Sequence, residues 1–173
     1  MSRPFKKFDK LADITVELIE DVEKYHEEAN TDTLTGILNR RSFDSIIKHS
    51  YKLFTEKNVY FSLVMLDIDN FKDLNDLHGH QAGDQVLRVL GQLLKTKLRK
   101  DDTAFRYGGE EFAIIAHGAT TEQCKYSIER ILNEVRDTFI SYERAQVKFT
   151  FSAGIEGIRE ELTIEDLIKR TDA

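Results

Sequence analysis

The stretch Val59-Tyr60-Phe61-Ser62-Leu63-Val64-Met65-Leu66-Asp67-Ile68-Asp69 decides the fold. Its apolar residues run almost unbroken up to Leu66 and show no helical period. Residues 59–67 therefore read as a strand buried on both faces, at the centre of a sheet. The run ends in two acids one residue apart. Acids at the carboxyl end of a central strand sit where open α/β sheets place ligands.

Helical and extended patterns follow on either side. Residues 71–77 read as a short helix stopped by Gly79, and a longer one covers about 83–98, with Val86, Leu87, Leu90, Leu93, Leu94 and Leu98 on one face. Ala104–Tyr107 and Glu111–Ala116 are short strands joined through Gly108-Gly109, a hairpin signal because glycine tolerates positive φ. Residues 120–141 read as a helix. Val147–Ile155 alternates apolar and polar residues, as a strand with one covered face does. A last helix starts near Thr163. Upstream, a helix covers about 39–56, and Asn30, Thr31 and Asp32 separate it from an amphipathic helix over 9–30. Leu11, Ile14, Leu18, Val22, Tyr25 and Ala29 form a narrow stripe on that helix. The stripe suits either a short parallel coiled coil or a helix laid on its own domain. The element order implies an α/β (α+β) fold: a mixed central sheet flanked by helices and preceded by an N-terminal helix.

Composition narrows the function classes. The 173 residues are one domain's worth, 40% apolar and 32% charged, which argues against disorder. No apolar run reaches the length of a membrane span, and no signal-peptide stretch opens the chain. A net charge of −6 disfavours a broad grip on a nucleic acid polymer or an anionic membrane. The single cysteine, Cys124, has no internal disulfide partner, so the chain suits a reducing cytoplasm.

Three features carry chemistry. Asp67-Ile68-Asp69 closes the central strand, and Gly108-Gly109-Glu110-Glu111 is an acidic hairpin tip. Neighbouring carboxylates repel unless solvated or shared by a cation. Side-by-side pairing of their strands would bring Asp67 to Glu110 and Glu111 as a hard oxygen site suited to Mg²⁺. Lys72, about one helical turn past Asp69, supplies a cation for a phosphate. A metal, carboxylates and a lysine together point to phosphoryl or nucleotidyl transfer. Each alone has a plainer reading: a helix cap, an ordinary hairpin, a solvated lysine.

Together the motifs resemble a known family. Tyr107-Gly-Gly-Glu-Glu-Phe112 resembles the signature of GGDEF-domain diguanylate cyclases in its GGEEF form. Asp32-Thr-Leu-Thr-Gly-Ile-Leu-Asn-Arg-Arg41, Asp67-Ile-Asp-Asn-Phe-Lys72 and Asn75-Asp-Leu-His-Gly-His-Gln-Ala-Gly-Asp84 resemble further motifs of that family in order, as do Ser152-Ala-Gly-Ile155 and the segment from Leu167 to Ala173. The resemblance covers residues 32–173, leaving 1–31 as an N-terminal helical stalk or linker.

The resemblance implies an enzyme, a nucleotidyltransferase that condenses two GTP into cyclic di-GMP with release of two pyrophosphates, on a fold similar to the palm of nucleotidyl cyclases and polymerases. It implies Mg²⁺, with Mn²⁺ as an alternative, held by Asp67, the Ile68 carbonyl and Glu110. Glu110 is also the implied base, with Glu111 as the neighbouring candidate, and the sequence does not separate the two. Lys72 and the amides around Phe71 would meet phosphates. Asn75 and Asp84 would read guanine, while His80 either contacts the nucleotide or braces the turn. Gly109 completes the substrate set at the hairpin tip. Arg99 and Asp102 resemble the family's R-x-x-D inhibitory product site, whose plainer reading is a charged helix end. Each subunit of the family binds one GTP, so a homodimer is the implied catalytic unit, and the 9–30 helix gains a role as a stalk in signal transduction.

Members of the family usually continue with a helix, L-Y-x-A-K-x-x-G-R-N, whose Lys and Arg approach the GTP phosphates. This sequence ends at Ala173 inside that motif, with Thr171 where Ala is usual, so the catalytic domain reads as C-terminally incomplete. Two other classes compete: a non-catalytic receptor for cyclic di-GMP or GTP, and a dimerising signalling module. The intact set Asp67, Lys72, Asn75, Asp84, Glu110 and Glu111 favours the enzyme.

Overall fold

The structure, a computed structural model, describes residues 29–143 and 145–171. The helix expected over 9–30 lies outside them except for its last two residues, of which Ala29 belongs to the stripe.

The first helix described in full, α1 (Arg40–Lys57), starts where Asn39 accepts the Ser42 N–H and ends at Asn58, a left-handed cap with φ of 55°. Strand β1 (Phe61–Ile68) follows, then α2 (Phe71–His78) and α3 (His80–Lys97). A hairpin pairs β2 (Asp102–Arg106) with β3 (Glu111–His117). Helix α4 (Thr121–Asp137) opens on a capping box between Thr120 and Gln123. A small hairpin of β4 (Ile140–Tyr142) and β5 (Ala145–Val147) precedes β6 (Phe151–Gly157), and α5 (Ile164–Thr171) closes the described chain.

Strand β1 is central, as its apolar run implies. The sheet order is β2-β3-β1-β6, and β1 is buried along its whole length except at Asp67. The α+β class is as expected, but within it the sheet anticipated as mixed is antiparallel at every strand pair. Strand β2 runs in the direction of β1, yet β3 lies between them. The parallel contact among the described residues is a single bridge from Leu38 to Phe105.

Alternate residues of the sheet feed two cores. Val64, Leu66, Ile68, Phe112 and Ile114 pack with α3 and α4 through Val86, Leu90, Leu94, Ile128 and Ile131. Leu63, Met65, Phe105 and Ile115 pack on the other face with Phe43 and Ile47 of α1 and Leu167 of α5. Burial of each such large side chain contributes roughly 1.5–3 kcal/mol. This two-sided burial fixes the height of the β1 carboxyl end, where the acids emerge.

Three local expectations change. The helix expected over 120–141 stops at Asp137, because Thr138 turns to extended backbone and Ile140–Tyr142 pairs with Ala145–Val147. The strand expected over 147–155 is two strands in two different sheets, interrupted at residues 148–150. Val147, Phe149 and Phe151 all face the core, whereas Ala153 is exposed. Gly108 and Gly109 are both absent from the positive-φ residues, so the hairpin tip does not use glycine's left-handed freedom. A Cβ on Gly108 would meet the Glu111 carboxylate, the flexible end of a side chain that could move aside.

Candidate active site

The register of β1 on β3 places Asp67 directly opposite Glu111, and its register on β6 places Asp67 opposite Ser152. One residue earlier on the hairpin, the Glu110 carbonyl accepts the Ile68 N–H at 3.4 Å. The expected meeting of Asp67, Ile68, Glu110 and Glu111 therefore follows from strand pairing. Burial pushes the Glu110 carboxyl above its ordinary range, and the negative charges of Asp67 and Glu111 push it further in the same direction.

Crowding of this kind is what a hard divalent cation relieves. Among the described residues, no group of three His, Cys, Asp or Glu side chains is disposed to hold a metal ion. The expected set has a different make-up, two carboxylates and the Ile68 carbonyl. It fits an ion such as Mg²⁺, which keeps several waters and takes few protein ligands.

Arg106 braces the hairpin tip. Its guanidinium donates to the Gly109 carbonyl at 2.8 Å and 3.3 Å, and its other nitrogen meets both oxygens of Asp32 at 3.1 Å and 3.2 Å. Asp32 also accepts from the Thr35 amide and hydroxyl. Burial alone would raise the Asp32 carboxyl, but the Thr35 bonds and Arg106 together outweigh it and hold it below its ordinary value. Sequence reading took Asp32 only as part of a motif and did not single out Arg106. Their sequence separation hides the pair.

Helix α2 begins beyond the acids. Asn70 turns the chain in the left-handed region, φ 54°, and makes no side-chain cap. Phe71 is buried as the first helical residue, and Lys72 beside it is exposed. Asp69 is engaged by the lead-in and first residues of β6. Its carboxylate accepts from Thr150 Oγ1 at 2.6 Å and Ser152 Oγ at 2.7 Å, and its amide donates to the Thr150 carbonyl at 3.0 Å.

Gly79, φ 86°, ends α2 and opens α3 at once, folding the two helices side by side. This brings Asn75 of α2 to Gly83 of α3, next to Asp84. A Cβ on Gly83 would collide with Asn75 Oδ1 and press on Phe71. Asn75 Oδ1 is buried with no hydrogen-bond partner. Asp84 is half-buried, and His80 is the exposed first residue of α3. The structure thus sets Asn75 against the residue that precedes Asp84 and leaves His80 exposed.

Arg99 and Asp102 lie at the turn between α3 and β2. The Arg99 amide donates to Asp102 Oδ2 at 3.3 Å, while Asp102 Oδ1 is buried without a partner. Burial lifts the Asp102 carboxyl above its ordinary value. Both residues line a cleft of about 330 Å³ with Thr31, Gly36, Lys95 and Thr103. A larger cleft of about 530 Å³ opens between α2 and residues 148–150 and reaches the acidic strand end only through Asp69 and Asn70.

Comparison with known proteins gives the same reading. Residues 29–173 match the family described as "Diguanylate cyclase, GGDEF domain". The chain is 37% identical over 144 residues to Diguanylate cyclase DgcZ of Escherichia coli, covering 83% of this chain and 48% of that protein. It is 37% identical over 164 residues to Diguanylate cyclase VdcA of Vibrio cholerae, covering 90% and 45%. Its fold superposes with a TM-score of 0.86 on the coiled coil and GGDEF domain of DgcB from Caulobacter crescentus in complex with c-di-GMP, at 30% identity, covering 95% of this chain and 89% of that one. The chain spans 48% or less of the length of these two curated relatives. No helix among the described residues is long and apolar enough to cross a membrane. With the family match running over all the described residues, the chain belongs to the diguanylate cyclase GGDEF-domain family.

Proposed function

We propose that this chain is a diguanylate cyclase domain that joins two GTP molecules into cyclic di-GMP and releases two pyrophosphates. The observation that carries the reading is the β1–β3 register, which sets Asp67 opposite Glu111 with Glu110 alongside. Asp67, the Ile68 carbonyl and Glu110 would hold Mg²⁺. The ion, when bound, supplies charge neutralisation at the α-phosphate and acidifies the 3′-hydroxyl.

The residues of the chain do the rest. Glu110 takes the 3′-hydroxyl proton as that oxygen forms its bond to the α-phosphorus and the bond to pyrophosphate breaks. Lys72 and the first amides of α2 bind phosphate oxygens, which is the main help such a reaction receives from a protein. Asn75 and Asp84 read the guanine edge. A carboxylate accepts from both N1–H and the 2-amino group, and adenine offers neither donor. Arg99 and Asp102 bind the product as an inhibitory site.

One chain holds one GTP, so ring closure takes two facing chains, and residues 1–31 serve as the stalk that brings them together. The protein incubated with GTP and Mg²⁺ is expected to yield cyclic di-GMP and pyrophosphate, followed by chromatography. Bound GTP without product at high protein concentration would replace this reading with a receptor.

A further inference from the structure

We infer that Thr150 and Ser152 are positioning residues that hold the Asp69 carboxylate away from the start of α2, leaving that helix's first amides open to substrate phosphates. This rests on the nucleotide reading above.

The argument begins with what an aspartate normally does at this place. Asp69 lies two residues before Phe71, the first residue of α2. An aspartate readily bonds the backbone N–H two residues on, and a carboxylate is favoured at the positive end of a helix. Asn70 leaves α2 without a side-chain cap, so nothing on its own side chain would block that contact. A capped start would compete with a phosphate for the same N–H.

The structure shows Asp69 committed elsewhere. Both of its carboxylate oxygens accept hydroxyls from the β6 side, Oδ2 from Thr150 and Oδ1 from Ser152. The two donors sit on one strand end and its lead-in, and the backbone bond from the Asp69 amide to the Thr150 carbonyl fixes the turn beside them. Ser152 is also the register partner of Asp67, so the same strand end that flanks the acid cluster withdraws the second acid from α2. The backbone anchor of the β1–α2 turn involves neither hydroxyl.

The test uses the double variant Thr150→Val with Ser152→Ala, and the triple variant that adds Asp69→Ala. Two readouts are measured: amide hydrogen exchange at Phe71 in the nucleotide-free protein, and the KM for GTP against kcat. The double variant is expected to slow exchange at Phe71 and raise KM roughly fivefold, the scale of one helix cap. The triple variant is expected to restore fast exchange and lower KM again. Unchanged Phe71 exchange in the double variant overturns the inference, as does a triple variant no better than the double. Phe71 exchange follows the expected pattern even if the protein binds no GTP, and in that case the nucleotide reading alone fails.

Discussion

Arg106 reaches Asp32 across 74 residues of sequence and, with the same guanidinium, holds the Gly109 carbonyl next to Glu110. The turn ahead of α1 and the tip of the acidic hairpin are thereby one mechanical unit. Both partners are largely buried, with about a fifth of each side chain exposed. Asp32→Ala should cost on the order of 1–3 kcal/mol, because it leaves a largely buried guanidinium without its carboxylate. Chemical denaturation measures that loss. Arg106→Lys should keep the charge but lose the fork that serves two partners, lowering kcat more than stability. The pH dependence has a definite sign. The Asp32 carboxyl is held below its ordinary value of 3.8, so its contribution is complete above that value and is lost as pH falls through the depressed one. In Asp32→Asn that part of the acid-side decline should be missing.

The Glu110 carboxyl carries the opposite sign. Its value is raised by burial, then by Asp67 and Glu111. In the metal-free protein its ionisation opposes folding, so stability should decline as pH rises past 4.5 through the elevated value. Asp67→Asn removes one like charge and should move the Glu110 carboxyl back toward its ordinary value, as read by carboxyl NMR titration. Added Mg²⁺ should remove the decline in the parent protein and have a smaller effect in Asp67→Asn. A Glu110 titration indifferent to Asp67 would separate the two residues and undo the shared site.

Glu110→Gln tests the proposed base. The amide cannot take the proton, so kcat should fall about 10²- to 10⁴-fold. GTP binding measured by calorimetry without Mg²⁺ should persist, since Asn75, Asp84 and the α2 amides are untouched. Equal kcat for Glu110→Gln and the parent would move the base elsewhere, with Glu111 next in line because it lies opposite Asp67.

The central strand was legible because burial on both faces leaves an unbroken apolar run, and the acids at its end were legible because Asp67 interrupts that run. Their partners were not all so visible. That Asp67 faces Glu111 depends on a pairing register, which follows from tertiary packing rather than from local pattern. The Asp69 bonds to Thr150 and Ser152 join residues more than 80 apart, and each side chain alone looks like a solvated polar group. The strand expected over 147–155 illustrates a different limit. Val147, Phe149 and Phe151 are all buried, so the alternation runs on while the ladder changes partner from β4 to β1. Likewise, no Gly or Pro marks the end of α4, and Phe139-Ile140 carries its apolar content into the next strand. The α1–α5 framework and most of the site residues came from pattern and motif, while the braces between distant segments came only from the fold.

Gly83 tests the proposed guanine site without replacing a reading group. An added Cβ would press on Asn75 Oδ1 and Cγ and on the Phe71 ring, so the Asn75 side chain must shift. Gly83→Ala should therefore raise the KM for GTP with a smaller change in kcat, because it displaces a side chain used in binding. Asp84→Ala should act on selectivity, reducing the preference for GTP over ATP at least a hundredfold if the site is built on those hydrogen bonds. Competition assays with both nucleotides give the ratio directly. An unaltered ratio in Asp84→Ala would remove that residue from base recognition.

Arg99 and Asp102 give the last prediction. Asp102 Oδ1 is a buried acceptor with no partner, an arrangement that ordinarily costs about 1–3 kcal/mol. Burial already lifts its carboxyl above the ordinary value, so a donor that reached it would be bound with a gain the folded chain does not otherwise have. The guanine N1–H and 2-amino group of cyclic di-GMP are such donors, and the exposed Arg99 beside the cleft is free to take a phosphate or the base edge in two parallel bonds. Arg99→Ala should weaken product inhibition at least tenfold, the scale of a lost charge-assisted bond. Arg99→Lys should recover only part of it, because an ammonium cannot form the fork. Inhibition curves with added cyclic di-GMP read both variants, and an inhibition constant equal to the parent's in Arg99→Ala would place the inhibitory site away from this cleft.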